Sequence, residues 1–186
     1  METIKVLLLD DLPEDVAALK QVLERISKDI EKDNVKLDLL FQPETIIELV
    51  GDFVSCKKLS YDLSYPCTKR IDEKIDIVNN TEKLVCVIDI VWGGKKNEYN
   101  ELGCDFYSQY LTTNPNVVFI TIVPDDKWPE RLGKGTKCVS KTKNKEPMSE
   151  NFISELRDAI LDLPIVKNNM SSTSAKETWE EPRLSN

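Results

Sequence analysis

Three stretches of the chain are apolar at almost every position and rich in β-branched residues: IKVLLLDD (4–11), LVCVIDI (84–90) and NVVFITIV (116–123). Unbroken apolar runs of this length describe strands covered on both faces, which is the condition of a parallel sheet packed between helices. An alternating pattern would instead describe a sheet with one wet face. Two of the runs also carry carboxylates, Asp10 and Asp11 in the first and Asp89 in the second. An unpaired buried charge is expensive, so these acids belong at strand ends, where a partner can reach them.

Helical patterns alternate with the strands. Pro13 suits the first position of a helix, and Glu14 and Asp15 suit its positive end. Val16, Leu19, Leu23, Ile26 and Ile30 then recur at helical spacing to about residue 32. VKLDLLF (35–41) reads as a second strand, and Pro43 introduces a second helix, ETIIELV. Residues 51–83 show no sustained period and are too long for a plain connection, so they read as an insertion with some structure of its own. After the third strand, WGGKKNEYN is a loop, and ELGCDFYSQYL (101–111) is a helix interrupted near Gly103.

The stretch VPDDKWPERLGKGTK holds two prolines and two glycines, so a fourth helix there is short or irregular. CVSK (138–141) is a brief fifth strand, and residues 149–163 form an amphipathic helix with Ser149 as its N-cap. Phe152, Ile153, Leu156, Ile160 and Leu161 face inward, and Pro164 stops the helix. Residues 164–186 are polar and read as a disordered tail. Strand–helix alternation of this kind implies right-handed crossovers. The fold expected is α/β: a doubly wound, flavodoxin-like, five-stranded parallel sheet in the order 2-1-3-4-5, with helices on both faces.

Composition removes several function classes. Among 186 residues there is no histidine, so Ser-His-Asp and Cys-His catalysis and Cys/His zinc sites are excluded. The five cysteines (56, 67, 86, 104 and 138) include no CxxC pair and read as reduced thiols of a cytoplasmic protein. A net charge of −8 and the absence of a basic, aromatic-bearing stripe argue against direct nucleic-acid binding. The apolar runs are too short to span a membrane, and the N-terminus runs into acids too early for a signal peptide.

In a parallel sheet, functional groups collect at the carboxyl ends of the strands. Those ends carry Asp10 and Asp11, Asp89, Thr121, and Ser140-Lys141. Three carboxylates brought together raise one another's pKa unless cations compensate. Lys141 supplies one positive charge, and Mg²⁺ suits the remaining all-oxygen site. Carboxylates, Mg²⁺, a lysine and a hydroxyl together make a site for a phosphoryl group. Asp89, standing singly between the acidic pair and the Lys/Thr side, is the candidate nucleophile.

KVLLLDD, VCVID, VVFIT and CVSK, in that order, resemble the receiver domain of two-component response regulators over residues 4–163, the insertion apart. The resemblance implies that Asp89 accepts a phosphoryl group from a histidine kinase or phosphotransfer protein. It further implies that Asp10, Asp11, Asp89 and the backbone carbonyl of Val91 bind Mg²⁺, and that Thr121 and Lys141 hold the phosphoryl oxygens. Output would pass to a downstream protein by contact, since no effector domain is evident. The chain departs from the family pattern in the long span between Asp11 and Asp89. It also has Thr142 where a proline usually follows the lysine, and Cys138 where an aromatic switch residue often stands.

Two other readings fit the same residues. One is a pseudo-receiver that binds a partner without being phosphorylated. The other, disfavoured because the first strand ends in DD rather than DxD, is a Mg²⁺-dependent phosphatase or phosphotransferase. The bland readings are a solvated strand end for Asp10 and Asp11, a surface lysine for Lys141 and a strand filler for Thr121. Val91 and Val123 offer no polar help to an attacking water, so a phospho-aspartate here is expected to be long-lived. Trp92 and the Gly pair read either as a loop shaped over the site or, in the bland reading, as a flexible loop with a partly buried ring.

Overall fold

The computed structural model describes residues 1–58, 66–92, 101–121, 132, 136–141 and 149–174. Five strands are present, β1 (Glu2–Leu9), β2 (Val35–Leu39), β3 (Leu84–Asp89), β4 (Val117–Thr121) and β5 (Lys137–Ser140). Six helices accompany them among the described residues: α1 (Pro13–Ile30), α2 (Pro43–Lys58), α3 (Pro66–Asn79), α4 (Leu102–Tyr110), α5 (Glu150–Leu161) and α6 (Pro164–Ser174). The strands form one sheet in the order β2-β1-β3-β4-β5, and every pairing is parallel. This is the flavodoxin-like arrangement expected from the sequence.

Burial on both faces explains the apolar runs. All six residues of β3 and all five of β4 are buried. Along β1, Ile4, Val6 and Leu8 enter one core with α1, α5 and α6, while Leu7 and Leu9 enter a second core with α2, α3 and α4. The period of two in a strand divides one run between two cores. In α1, Val16, Leu19, Leu23, Ile26 and Ile30 are all buried, as the spacing requires. Ser149 caps α5, its hydroxyl accepting from the Phe152 N–H at 3.2 Å. Asn34, the one non-glycine residue with positive φ (58°) among those described, closes the turn before β2.

The span 51–83 departs most from its sequence reading. Helix α2 does not end at Val50 but continues through Gly51 to Lys58, and α3 follows from Pro66. The two helices form an antiparallel hairpin. Arg70 grips Asp52 through two N–H donors at 2.8 and 2.5 Å, and Lys74 reaches Glu48 at 2.8 Å. Its buried stripe, Leu49, Phe53 and Cys56 on α2 with Cys67, Ile71, Ile75 and Val78 on α3, does keep helical spacing. The hydrophilic residues between these positions hide it. The hairpin is also closed by a disulfide between Cys56 and Cys67, whose Cα atoms lie 6.5 Å apart. That corrects the expectation of five reduced thiols. The pair is not recognisable by spacing because it depends on how two helices meet.

The disordered tail expected from residue 164 onward is also corrected. Pro164 ends one helix and begins the next, since a first-turn proline lacks only an N–H that would have no intrahelical partner. The Ile165 N–H donates to Asn116 Oδ1 at 3.1 Å, and Val166 is fully buried. Asn169 accepts from Lys83 at 3.4 Å, so α6 lies along the amino-terminal edge of the sheet. Val166, with Ile165 and Met170 packed on the same core, and two asparagines dock the segment despite its polar composition. Residues 175–186, Val123, Thr142 and the irregular fourth helix expected between β4 and β5 lie outside the described residues. No described helix is long and apolar enough to cross a membrane.

Candidate acidic site at the carboxyl edge of the sheet

The strand ends meet where β1, β3, β4 and β5 finish side by side. Register pairs Leu9 with Ile88, Asp89 with Ile120, and Thr121 with Ser140. Asp10 and Asp11 follow β1, Asp89 ends β3, Thr121 ends β4 and Lys141 follows β5. One carboxylate oxygen from each of Asp10, Asp11 and Asp89 lies within 4.8 Å of the others. Asp10 and Thr121 are fully buried, Asp89 and Lys141 almost so, and Asp11 is half-buried.

Lys141 is the hub. Its Nζ donates to Asp10 Oδ2 at 2.7 Å, to Asp15 Oδ2 at 2.9 Å and to Asp89 Oδ2 at 3.3 Å. A buried ammonium is tolerable only when fully paired, and here each of its three donors meets a carboxylate. The Lys141 N–H also donates to the Thr121 carbonyl at 2.7 Å, which ties the ends of β4 and β5 together beside the pocket. Asp10 is held from its other side, where its Oδ1 accepts from the Leu12 N–H at 3.0 Å. Val91 stands two residues beyond Asp89 and is half-buried.

Burial dominates the electrostatics. It pushes the Asp89 carboxyl up to about 7; Lys141 pulls the other way, and the charges of Asp10 and Asp11 add to the rise. Asp10 is likewise raised by burial, with Lys141 offsetting part of the effect. Burial alone would lower Lys141, but Asp89 and Asp10 outweigh it and hold the ammonium above its ordinary value. An additional cation is therefore the natural complement of the cluster. Among the described residues, Asp89 Oδ1 is buried and has no hydrogen-bond partner, so a donor or a metal ion would satisfy it. Three converging carboxylates, with no nitrogen or sulfur donor among them, fit a hard, oxygen-preferring divalent ion.

Three features of this site lie beyond the sequence reading. The sequence gives Asp15 only a helix-end role, yet it is a direct partner of Lys141; as an acid in the first turn of α1, it can reach over the same strand ends. Gly103 marks a close approach of α4 to the nucleophile candidate's backbone, not an interruption. Its N–H donates to the Ile90 carbonyl at 3.1 Å, and a Cβ there would stand 1.9 Å from the Asp89 carbonyl oxygen. Trp92 is fully buried, which corrects the partly buried ring of the bland reading. Its ring packs on Phe53 at 5.9 Å and Phe106 at 5.7 Å, joining the chain after β3 to α2 and α4. Residues 93–100 lie outside the described residues.

No family model, curated protein or solved structure matches the chain. Fold and site therefore define its class by themselves. It is a flavodoxin-like α/β protein with a buried carboxylate–lysine pocket at the carboxyl edge of its sheet.

Proposed function

We propose that the chain is a receiver-type phosphoacceptor of a two-component or phosphorelay system, with Mg²⁺ as its cofactor. The observation that carries this reading is the Lys141 ammonium bridging Asp10 and Asp89 while Asp89 Oδ1 is buried without a partner among the described residues. A buried carboxylate with one oxygen anchored and the other unsatisfied is arranged to take on a new bond.

Asp10, Asp11, Asp89 and the Val91 carbonyl would hold Mg²⁺, which when bound neutralises charge on the transferring phosphoryl oxygens. The chain's own residues do the rest. The Asp89 carboxylate attacks phosphorus, an oxygen–phosphorus bond forms, and a phosphohistidine donor's nitrogen–phosphorus bond breaks (with an acyl phosphate, its oxygen–phosphorus bond breaks and a carboxylate leaves). The electron pair leaves on the donor imidazole, which takes up a proton. Lys141 and the Thr121 hydroxyl donate to the phosphoryl oxygens. The chain has no histidine, so the donor is external: a histidine kinase, a phosphotransfer protein or a small acyl phosphate. Output passes to a downstream protein by surface contact.

The test is incubation with Mg²⁺ and either beryllofluoride or acetyl phosphate. The wild-type chain is expected to form a 1:1 adduct, and Asp89→Asn none. No adduct on the wild type, or an adduct indifferent to Asp89→Asn, would remove the reading and favour a pseudo-receiver. Steady release of phosphate from a phosphate ester would favour the phosphatase class instead.

A further inference from the structure

One carboxylate in the pocket has no part in the chemistry just described. Asp15 stands in the first turn of α1, and its Oδ2 accepts from Lys141 Nζ at 2.9 Å, closer than Asp89 Oδ2 at 3.3 Å. The ammonium has three N–H donors, and Asp10, Asp15 and Asp89 take all three. An anion arriving on Asp89 draws on Lys141, so one of these contacts must yield.

The three contacts are not equal. The Asp10 side chain is fully shielded from water, whereas that of Asp15 keeps 21% of its surface exposed. Once released, Asp15 is stabilised by water and by the positive end of α1, so its contact gives way at a lower cost than that of Asp10. Asp15 also adds to an unfavourable charge balance. Among the described residues, it makes four carboxylates with Asp10, Asp11 and Asp89 around one ammonium. A divalent cation would still leave the pocket one net negative charge, which opposes an incoming anion and favours the cation.

We propose that Asp15 is a positioning residue that shares the Lys141 ammonium and thereby weakens the pocket's hold on a phosphoryl group while strengthening its hold on the metal. The proposal rests on the phosphoacceptor reading of Asp89. It makes the pocket a balanced one, in which the lysine is withheld until an anion competes for it.

The test uses the full chain carrying Asp15→Asn, which keeps the shape and one acceptor, and Asp15→Ala, which also frees the donor. Two affinities are measured: Mg²⁺ alone, and beryllofluoride at saturating Mg²⁺. Both variants are expected to bind Mg²⁺ more weakly and beryllofluoride more tightly. Each change should be about fivefold, the size of one unit charge felt through water at a few ångströms. The tightening should be larger for Asp15→Ala, and Asp15→Glu should restore wild-type behaviour in part. A merely structural role would weaken both ligands together, and that result, or no change in either, overturns the proposal. If the wild-type chain itself takes no beryllofluoride, the phosphoacceptor reading falls and this proposal falls with it. Wild-type binding without opposite shifts in the variants removes the Asp15 proposal alone.

Discussion

Asp89 holds its proton far more tightly in the folded chain than a carboxyl group does in water, and the sign of that effect sets a pH dependence. Its carboxyl is pushed up to about 7 from an ordinary 3.8 by burial, despite Lys141. Between those values the folded state holds a proton that the unfolded state has lost, so stability of the chelator-treated protein falls as pH rises from about 4 to about 7. Asp89→Asn stays uncharged, so thermal unfolding should show a shallower slope across that window and a higher midpoint than wild type above pH 7. The slope should not vanish, because Asp10 is raised in the same direction. Gly103 makes a second prediction at this scale. A methyl group there would stand 1.9 Å from the Asp89 carbonyl oxygen, so Gly103→Ala must push α4 off the end of β3. Overpacking of this kind costs about 1–3 kcal/mol, and thermal unfolding should show it together with weaker beryllofluoride binding. Cys86 makes a third. Burial pushes its thiol up to about 12, so in the native protein it should resist alkylation that labels Cys104 and Cys138.

Among the elements, the α2–α3 hairpin and α6 were the least legible in the sequence, for different physical reasons. Gly51 reads as a helix end, but a helix tolerates glycine at a cost of about 1 kcal/mol when its apolar face is otherwise well packed, as Phe53 and Cys56 show beyond it. Helix α3 places Cys67, Ile71, Ile75 and Val78 on one face, with charged residues filling the positions between. The disulfide closes a loop of about a dozen residues, for which the chain-entropy account gives about 3 kcal/mol. Cys56→Ser should therefore lower the unfolding midpoint of the oxidised protein, and a dithiol reductant should bring the wild type towards the variant. Helix α6 is held by hydrogen bonds to Asn116 and from Lys83 and by Val166, Ile165 and Met170, a pattern no local period reveals. Asn116→Ala should expose α6 to proteolysis before the rest of the chain, as mass spectrometry of early fragments would show.

At the level of the whole molecule, the sheet and its order were legible because burial on both faces leaves a direct mark on the residues of a strand. The same logic located Asp10, Asp11 and Asp89, since an acid that closes such a run has few places to go. Lys141 followed from the parallel order, which brings the ends of β1, β3 and β5 to one edge. What stayed hidden depends on contacts between elements. Asp15 reaches Lys141 from a helix, and the Trp92 ring sits among side chains of α2 and α4.

That ring has a spectroscopic use. Trp92 lies three residues beyond Asp89, is fully buried, and has no hydrogen-bond partner for its indole N–H among the described residues. An indole in so apolar a setting emits at short wavelength and is sensitive to small displacements of its surroundings. The other two tryptophans, Trp128 and Trp179, can be replaced by phenylalanine. The chain would then report through one intrinsic fluorophore, and each filling of the pocket by cation or anion becomes an optical signal needing no added label.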